Sequence, residues 1–88
     1  MHMDGTILYG FEDIMRQARW YESKGDSAAA QKYYDEAKRW YIDAENEYGK
    51  AYRYAERYDD YSRKQEAYSS QREACRKKEK ASCAGYSL

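Results

Sequence analysis

The stretch AQKYYDEAKRWYIDAENEYGKAYRYAERY, residues 30–58, decides the fold. Within it Ala30, Tyr34, Ala37, Tyr41, Ala44 and Tyr48 recur at steps of four and three, the spacing that keeps side chains on one face of a helix. Small and large residues alternate strictly along that face. Alanine lets a facing helix approach closely, and tyrosine fills the space beside it. Tyr33 and Trp40 widen the stripe, and the same register runs on through Ala51, Ala55 and Tyr58. No segment alternates with the period of a strand, and the chain has no proline, so the pattern predicts an all-α protein.

N-terminal to this stretch, Phe11, Ile14, Met15, Ala18 and Tyr21 form a first helical stripe. Gly25-Asp26-Ser27 follows it. Glycine suits the left-handed position after a helix and Asp or Ser the cap before the next, so this triplet predicts the turn of an antiparallel hairpin. Gly49 offers a second punctuation, with a third helix starting near Lys50. Because a mid-helix glycine costs only about 1 kcal/mol, a single helix over residues 27–78, with the second and third helices continuous, is the alternative. The break is preferred, since so long a helix would need a partner along its whole length. Beyond it, Tyr54, Tyr58, Tyr61, Gln65, Tyr68, Arg72 and Cys75 keep heptad steps but turn polar. The expected organisation is a tag-like disordered segment over residues 1–6, one helical domain over 7–80 and a disordered tail over 81–88. The domain is a helical hairpin plus a third helix, a three-helix bundle.

Composition says what the core must be made of. The chain lacks valine, and its aliphatics are only Ile7, Leu8, Ile14, Ile42 and Leu88, which with low aromatic content would point to disorder. Twelve Tyr, two Trp and a formal net charge of zero argue the other way, and predict a core of alanine and aromatic rings. At 88 residues the chain holds one domain and buries only about 60–65% of its unfolded surface, so stability is expected to be modest. Charge is unevenly placed: residues 1–61 are net −4, and residues 62–88, with Arg72, Arg76, Lys77, Lys78 and Lys80, are net +4. A basic helix end could meet nucleic acid or a lipid surface, but Glu73 and Glu79 interrupt it, and the solvated helix C-terminus is the preferred reading. Cys75 and Cys83 are too few for a disulfide framework and, on one helix, stand about 12 Å apart. No segment is long and apolar enough to span a membrane, and a cytoplasmic location is the default expectation. Met1-His2-Met3 reads as an expression-vector remnant.

There is no phosphate-cradling glycine loop, no Cys or His set with metal spacing and no nucleophile beside a base; outside His2 there is no imidazole. Asp59-Asp60 point to different helix sides, and Glu12-Asp13 complement a helix N-terminus. The reading is a protein that is not an enzyme and has no catalytic, cofactor or metal residues.

Residues 11–44 resemble a tetratricopeptide repeat, a 34-residue helix–turn–helix. With Phe11 first, Ala18 and Tyr21 fall on its small and aromatic positions, Gly25-Asp26 on its turn, and Ala30, Tyr34 and Ala37 on the signature of its second helix. Ile14 stands where the family has tryptophan, the closing proline is absent, and residues 45–78 do not repeat the signature. With a third helix the chain is similar to the microtubule-interacting and trafficking domain, a resemblance that implies binding of short helical peptides in a groove between helices. The function expected is therefore non-enzymatic binding of a partner helix or peptide. One alternative is self-assembly to a homodimer through the Ala/Tyr heptad; another is a basic-tail adaptor for nucleic acid or membrane. Candidate partner-binding residues are Trp20, which falls off the first stripe beside Arg16 and Arg19, and Tyr54, Tyr58 and Tyr61. Tyr58 and Tyr61 are expected to lie partly accessible at the rim of a groove or dimer contact. Elemental analysis of the purified chain is predicted to find no stoichiometric metal outside the His2 region; one ion per chain would overturn the motif reading.

Overall fold

A computed structural model describes residues 5–87, with side chains from residue 9 to residue 85. Three helices account for it: α1 (Gly5–Ala30), α2 (Tyr34–Arg57) and α3 (Tyr61–Ser87). They run up, down and up. α2 is the central helix; α1 and α3 both pack along it and barely pack on each other. The all-α three-helix expectation holds. Residues 1–4 of the tag-like segment, and Leu88 of the tail, lie outside the described residues, and α1 already includes Gly5 and Thr6.

The Ala/Tyr stripe is the core. Ala37, Tyr41, Ala44, Tyr48, Ala51 and Ala55 of α2 are all buried. Phe11, Met15, Ala18 and Ala28 of α1 close over them from one side, with Ile14 and Tyr21 half-buried at the edge. α3 contributes only alanine: Ala67, Ala74 and Ala81, one per heptad. The C-terminal line followed in the sequence from Tyr61 through Gln65, Tyr68, Arg72 and Cys75 is not what α3 buries; Tyr61, Gln65, Tyr68 and Arg72 are exposed. Alanine at every seventh residue is a fainter signal than a row of tyrosines, yet it is the face that can come close to α2. Ala81 packs against Ala28, Ala37 and Tyr41, so helix α3 continues past Lys80 to Ser87 where the sequence reading places a disordered tail.

Neither glycine expected to break a helix does so. Gly25 lies inside α1 and Gly49 inside α2, both buried. Their use is space. A Cβ on Gly25 would stand 2.6 Å from the Tyr41 ring, and one on Gly49 would stand 2.8 Å from Nε2 of Gln71. The turns lie elsewhere and share one geometry. After α1, Lys32 takes φ 66°, its N–H donates to the Ala29 carbonyl (3.0 Å) and the Tyr33 N–H donates to Ala28 (2.9 Å). After α2, Asp59 takes φ 57°, its N–H donates to Glu56 (3.1 Å) and the Asp60 N–H donates to Ala55 (2.9 Å). This paired pattern is the Schellman closure of a helix, here with Lys and Asp in the left-handed place usually taken by glycine. Asp60 then caps α3, its Oδ1 accepting the Arg63 N–H at 3.1 Å; that bond holds the Asp60 carboxyl below its ordinary value. The second and third helices are thus separate, divided at Asp59 and not at Gly49.

The two glycines make opposite predictions. Gly25→Ala should destabilise by about 1–3 kcal/mol, because the new methyl would meet the body of the Tyr41 ring, and moving that ring would strain its hydroxyl bond to Asp26. Gly49→Ala should be neutral or stabilise by up to about 1 kcal/mol, because the neighbour is the flexible tip of Gln71 and alanine favours the helix. Thermal denaturation followed by circular dichroism measures both; equal destabilisation by the two would show that Gly25 has no special seat.

Candidate functional site

Between α1 and α3 the molecule builds a polar clasp. Glu22 and Asp26, four apart, share one face of α1. Tyr48 donates its hydroxyl to Glu22 Oε1 at 2.6 Å and Tyr41 donates to Asp26 Oδ1 at 2.7 Å. From α3, Lys77 Nζ donates to Glu22 Oε2 at 2.8 Å and to Asp26 Oδ1 and Oδ2 at 3.0 and 3.2 Å. Burial, then the bond to Asp26, pushes the Tyr41 hydroxyl pKa well above its ordinary value; burial, then the bond to Glu22, does the same for Tyr48. Burial pulls Lys77 down, but the hydrogen bonds to Glu22 and Asp26 outweigh it and the ammonium is held charged. A lysine fixed in its charged form has no lone pair to offer, and two tyrosines that resist ionisation make poor bases. The clasp is therefore built for holding α1 and α3 across α2.

The basic C-terminal half is largely engaged in the same way. Lys78 donates to Glu45 Oε1 at 2.9 Å, and Gln71 donates to the Glu45 carbonyl at 3.4 Å. Arg76 pairs with Glu73 one turn away, and Arg72 lies 5.8 Å from the Tyr68 ring centroid. Cys75 is half-buried and Cys83 exposed. Among the described residues no three His, Cys, Asp or Glu side chains are grouped to hold a metal, and no helix is long and apolar enough to cross a membrane.

The other candidate surface is the seam between α1 and α2 on the side away from α3. On α2, Glu45, Gly49 and Tyr52 face α3, where they meet Lys78, Gln71 and Tyr68. Trp40 and Tyr54, two heptads apart, point roughly 140° away from that line at ~100° per residue. Tyr54 lies against the bare Cα of Gly10, and its ring centroid is 5.1 Å from that of Tyr58. At the other end Trp20 meets Trp40 edge-on at 5.6 Å, and Tyr21 sits 5.4 Å from Trp20 and 5.9 Å from Trp40. Half-buried Ile14 lies on the same side of α1. Lys24 Nζ stands 5.4 Å from the Trp20 ring centroid.

The six residues singled out from the sequence divide accordingly. Trp20, Tyr54 and Tyr58 share the seam, Trp20 being 50% and Tyr58 40% exposed. Arg16 stands on the outward face of α1 paired with Asp13 at 2.8 Å. Arg19 turns toward Glu12, 3.5 Å away, on the α3 side of α1. Tyr61, 73% exposed, opens α3 and lies off the seam. Tyr21 and Trp40 belong to the site and were read from the sequence only as core stripe. Their outward edges become visible once α3 is known to cover the opposite side.

The clasp gives a pH prediction. A tyrosine whose pKa is raised by folding contributes stability that is present below the ordinary value of about 10 and is lost as pH rises beyond it, because only the unfolded chain can ionise it. Lys77 and Lys78, also raised, weaken in the same direction. In an alkaline titration, Tyr41 and Tyr48 should ionise only with the loss of helix, and Tyr48→Phe should remove one of these two groups. Ionisation of every tyrosine before any helix is lost would show the hydroxyl bonds to be absent in solution. Lys77→Met should destabilise by about 1–2 kcal/mol, less than a fully buried pair because water reaches the clasp.

No family model, no curated protein and no solved structure matches the chain.

Proposed function

We propose that the chain is a non-enzymatic interaction module that takes a partner helix or peptide along the α1/α2 seam. The observation that carries this reading is Trp20: half of it is left in solvent, edge-on against the half-buried Tyr21 and Trp40 rings. Partly exposed aromatic anchors bordered by charge are the commonest energetic centres of protein interfaces. The seam's aromatic line from Trp40 to Tyr54 covers 14 residues, about 21 Å at ~1.5 Å per residue, enough for a partner helix of about four turns. The likeness of residues 11–44 to a tetratricopeptide hairpin supports the reading through its small–aromatic alternation, though Gly25 and Asp26, which would form its turn, sit inside α1.

The rivals have less to work with. The Ala/Tyr heptad that would pair with a second copy is buried within the chain. Of the C-terminal cations, Lys77 and Lys78 are tied inward and Arg76 is paired, which leaves a thin basic surface for nucleic acid or membrane.

A binding assay with an uncharged amphipathic helical peptide tests the reading, with tryptophan fluorescence as readout, since both tryptophans lie on the seam. Trp20→Ala with Tyr58→Ala should weaken binding by at least about tenfold while leaving helix content unchanged. Undiminished binding, or outright unfolding of the double variant, would remove the seam from consideration.

A further inference from the structure

α2 carries one line of charge that neither neighbouring helix covers. Glu36, Asp43, Lys50 and Arg57 recur at every seventh residue and are all exposed. The line lies roughly 40° further round the helix than the seam line of Trp40, Glu47 and Tyr54, at ~100° per residue. Arg39 and Arg53 flank it on the outer side and are exposed too. Among the described residues Lys50 alone of these six is held in an ion pair, with Glu47 at 3.0 Å, and Glu36 accepts the Trp40 indole N–H at 3.4 Å. The line changes sign along its length, acidic toward the start of α2 and basic toward its end. The change is symmetric. Glu36 and Arg57 stand at equal distances either side of a point between Asn46 and Glu47, and so do Asp43 and Lys50. The same point relates Trp40 to Arg53 and Arg39 to Tyr54.

A partner helix of one sign would be drawn to one end of this line and repelled from the other. A second copy, run antiparallel, finds its opposite at both ends. Resting on the seam as the docking surface, we infer that its occupant is a second copy of this chain, the two α2 helices antiparallel across a two-fold axis between Asn46 and Glu47. Such a pairing is isologous, so each contact occurs twice. Glu36 of each copy faces Arg57 of the other, and Asp43 faces Lys50. Arg53 comes to the Trp40 ring and Arg39 to the Tyr54 ring, both cation–π partners. Arg53 also nears Arg39 of the other copy, but Asp35, Glu36 and Asp43 lie within about one turn of Arg39, so that end is net acidic. The Glu47 side chains that meet near the axis arrive already paired with Lys50. On α1 the charge is local, Asp13 and Arg16 pairing at 2.8 Å beside uncharged Gln17, and sets no competing register. A parallel pairing would instead set Glu36 on Glu36 and Arg57 on Arg57, like charge on like. The face is distinct from the Ala/Tyr heptad, which is buried within each copy. The 24 residues of α2 run ~36 Å, and with α1 alongside the face measures on the order of 700 Å², near the ~800 Å² that each partner of a stable complex buries.

The test is sedimentation equilibrium of the full chain, with the fluorescence of Trp20 and Trp40 on dilution as a second readout. The chain should pass from monomer to dimer between about 1 and 500 μM, and the dimer should loosen as salt rises. Glu36→Lys with Asp43→Lys makes the whole line basic; Lys50→Glu with Arg57→Glu makes it acidic. Each variant alone should dimerise at least about tenfold more weakly at unchanged helix content, since all four positions are exposed. Mixed in equal amounts, the two variants should dimerise at least as tightly as the wild type, because a basic line then meets an acidic one. Variants that dimerise undiminished, or a mixture that stays monomeric, would overturn the pairing. So would a dimer that survives Trp20→Ala with Tyr58→Ala, which would place self-association off the seam. A wild-type chain that stays monomeric while the uncharged helical peptide still binds would overturn the second copy as occupant and leave the seam intact. Failure of both would remove the seam as well.

Discussion

A tyrosine ring can be buried only if its hydroxyl has somewhere to go, and this chain, with few aliphatic residues, has to bury tyrosines. Tyr41 and Tyr48 solve the problem at the junction of three helices. Their rings fill α2's core face, and their hydroxyls emerge where Asp26 and Glu22 can accept them. Those carboxylates then need a counter-charge, which Lys77 supplies from α3. Burial of rings, placement of acids on α1 and choice of a lysine on a helix with almost no apolar face are one linked requirement. α3 has little else to hold it: three alanines, and long polar side chains that reach over α2 to Glu45 and across to α1.

That linkage explains what could be read from the sequence and what could not. The helices with their own apolar periodicity, α1 from Phe11 to Tyr21 and α2 from Ala37 to Ala55, are legible because burial alone selects their faces. The turns are not. Gly25-Asp26-Ser27 has the composition of a turn, but a buried glycine serves close packing as well as it serves a left-handed cap, and sequence spacing does not distinguish the two uses. The residues that do take the left-handed conformation, Lys32 and Asp59, are types that occur everywhere in the chain. The face of α3 is faint in the sequence because it is buried through alanine every seventh residue, while Tyr61 and Tyr68, the stronger signal, are exposed.

The candidate site shows the same division. Trp20 stood out because it falls off the first apolar stripe, and Tyr54 and Tyr58 as aromatic rungs of the C-terminal heptad line; all three lie on one seam. Arg19 and Tyr61 were grouped with them on sequence proximity and composition; α3 packs on the other side of α2, and they go with it.

The three-residue connections have a mechanical consequence. With an odd number of helices in an up–down–up path, Gly5 and Ser87 lie at opposite ends of the bundle. Tension applied through the two ends therefore does not peel one helix away a turn at a time. It slides α1 and α3 past α2 along their length, loading the tyrosine–carboxylate–lysine links in parallel, in shear. A chain joined at both ends to other bodies would behave as a short strut, rigid until those links give way together, and its seam would stay intact up to that point.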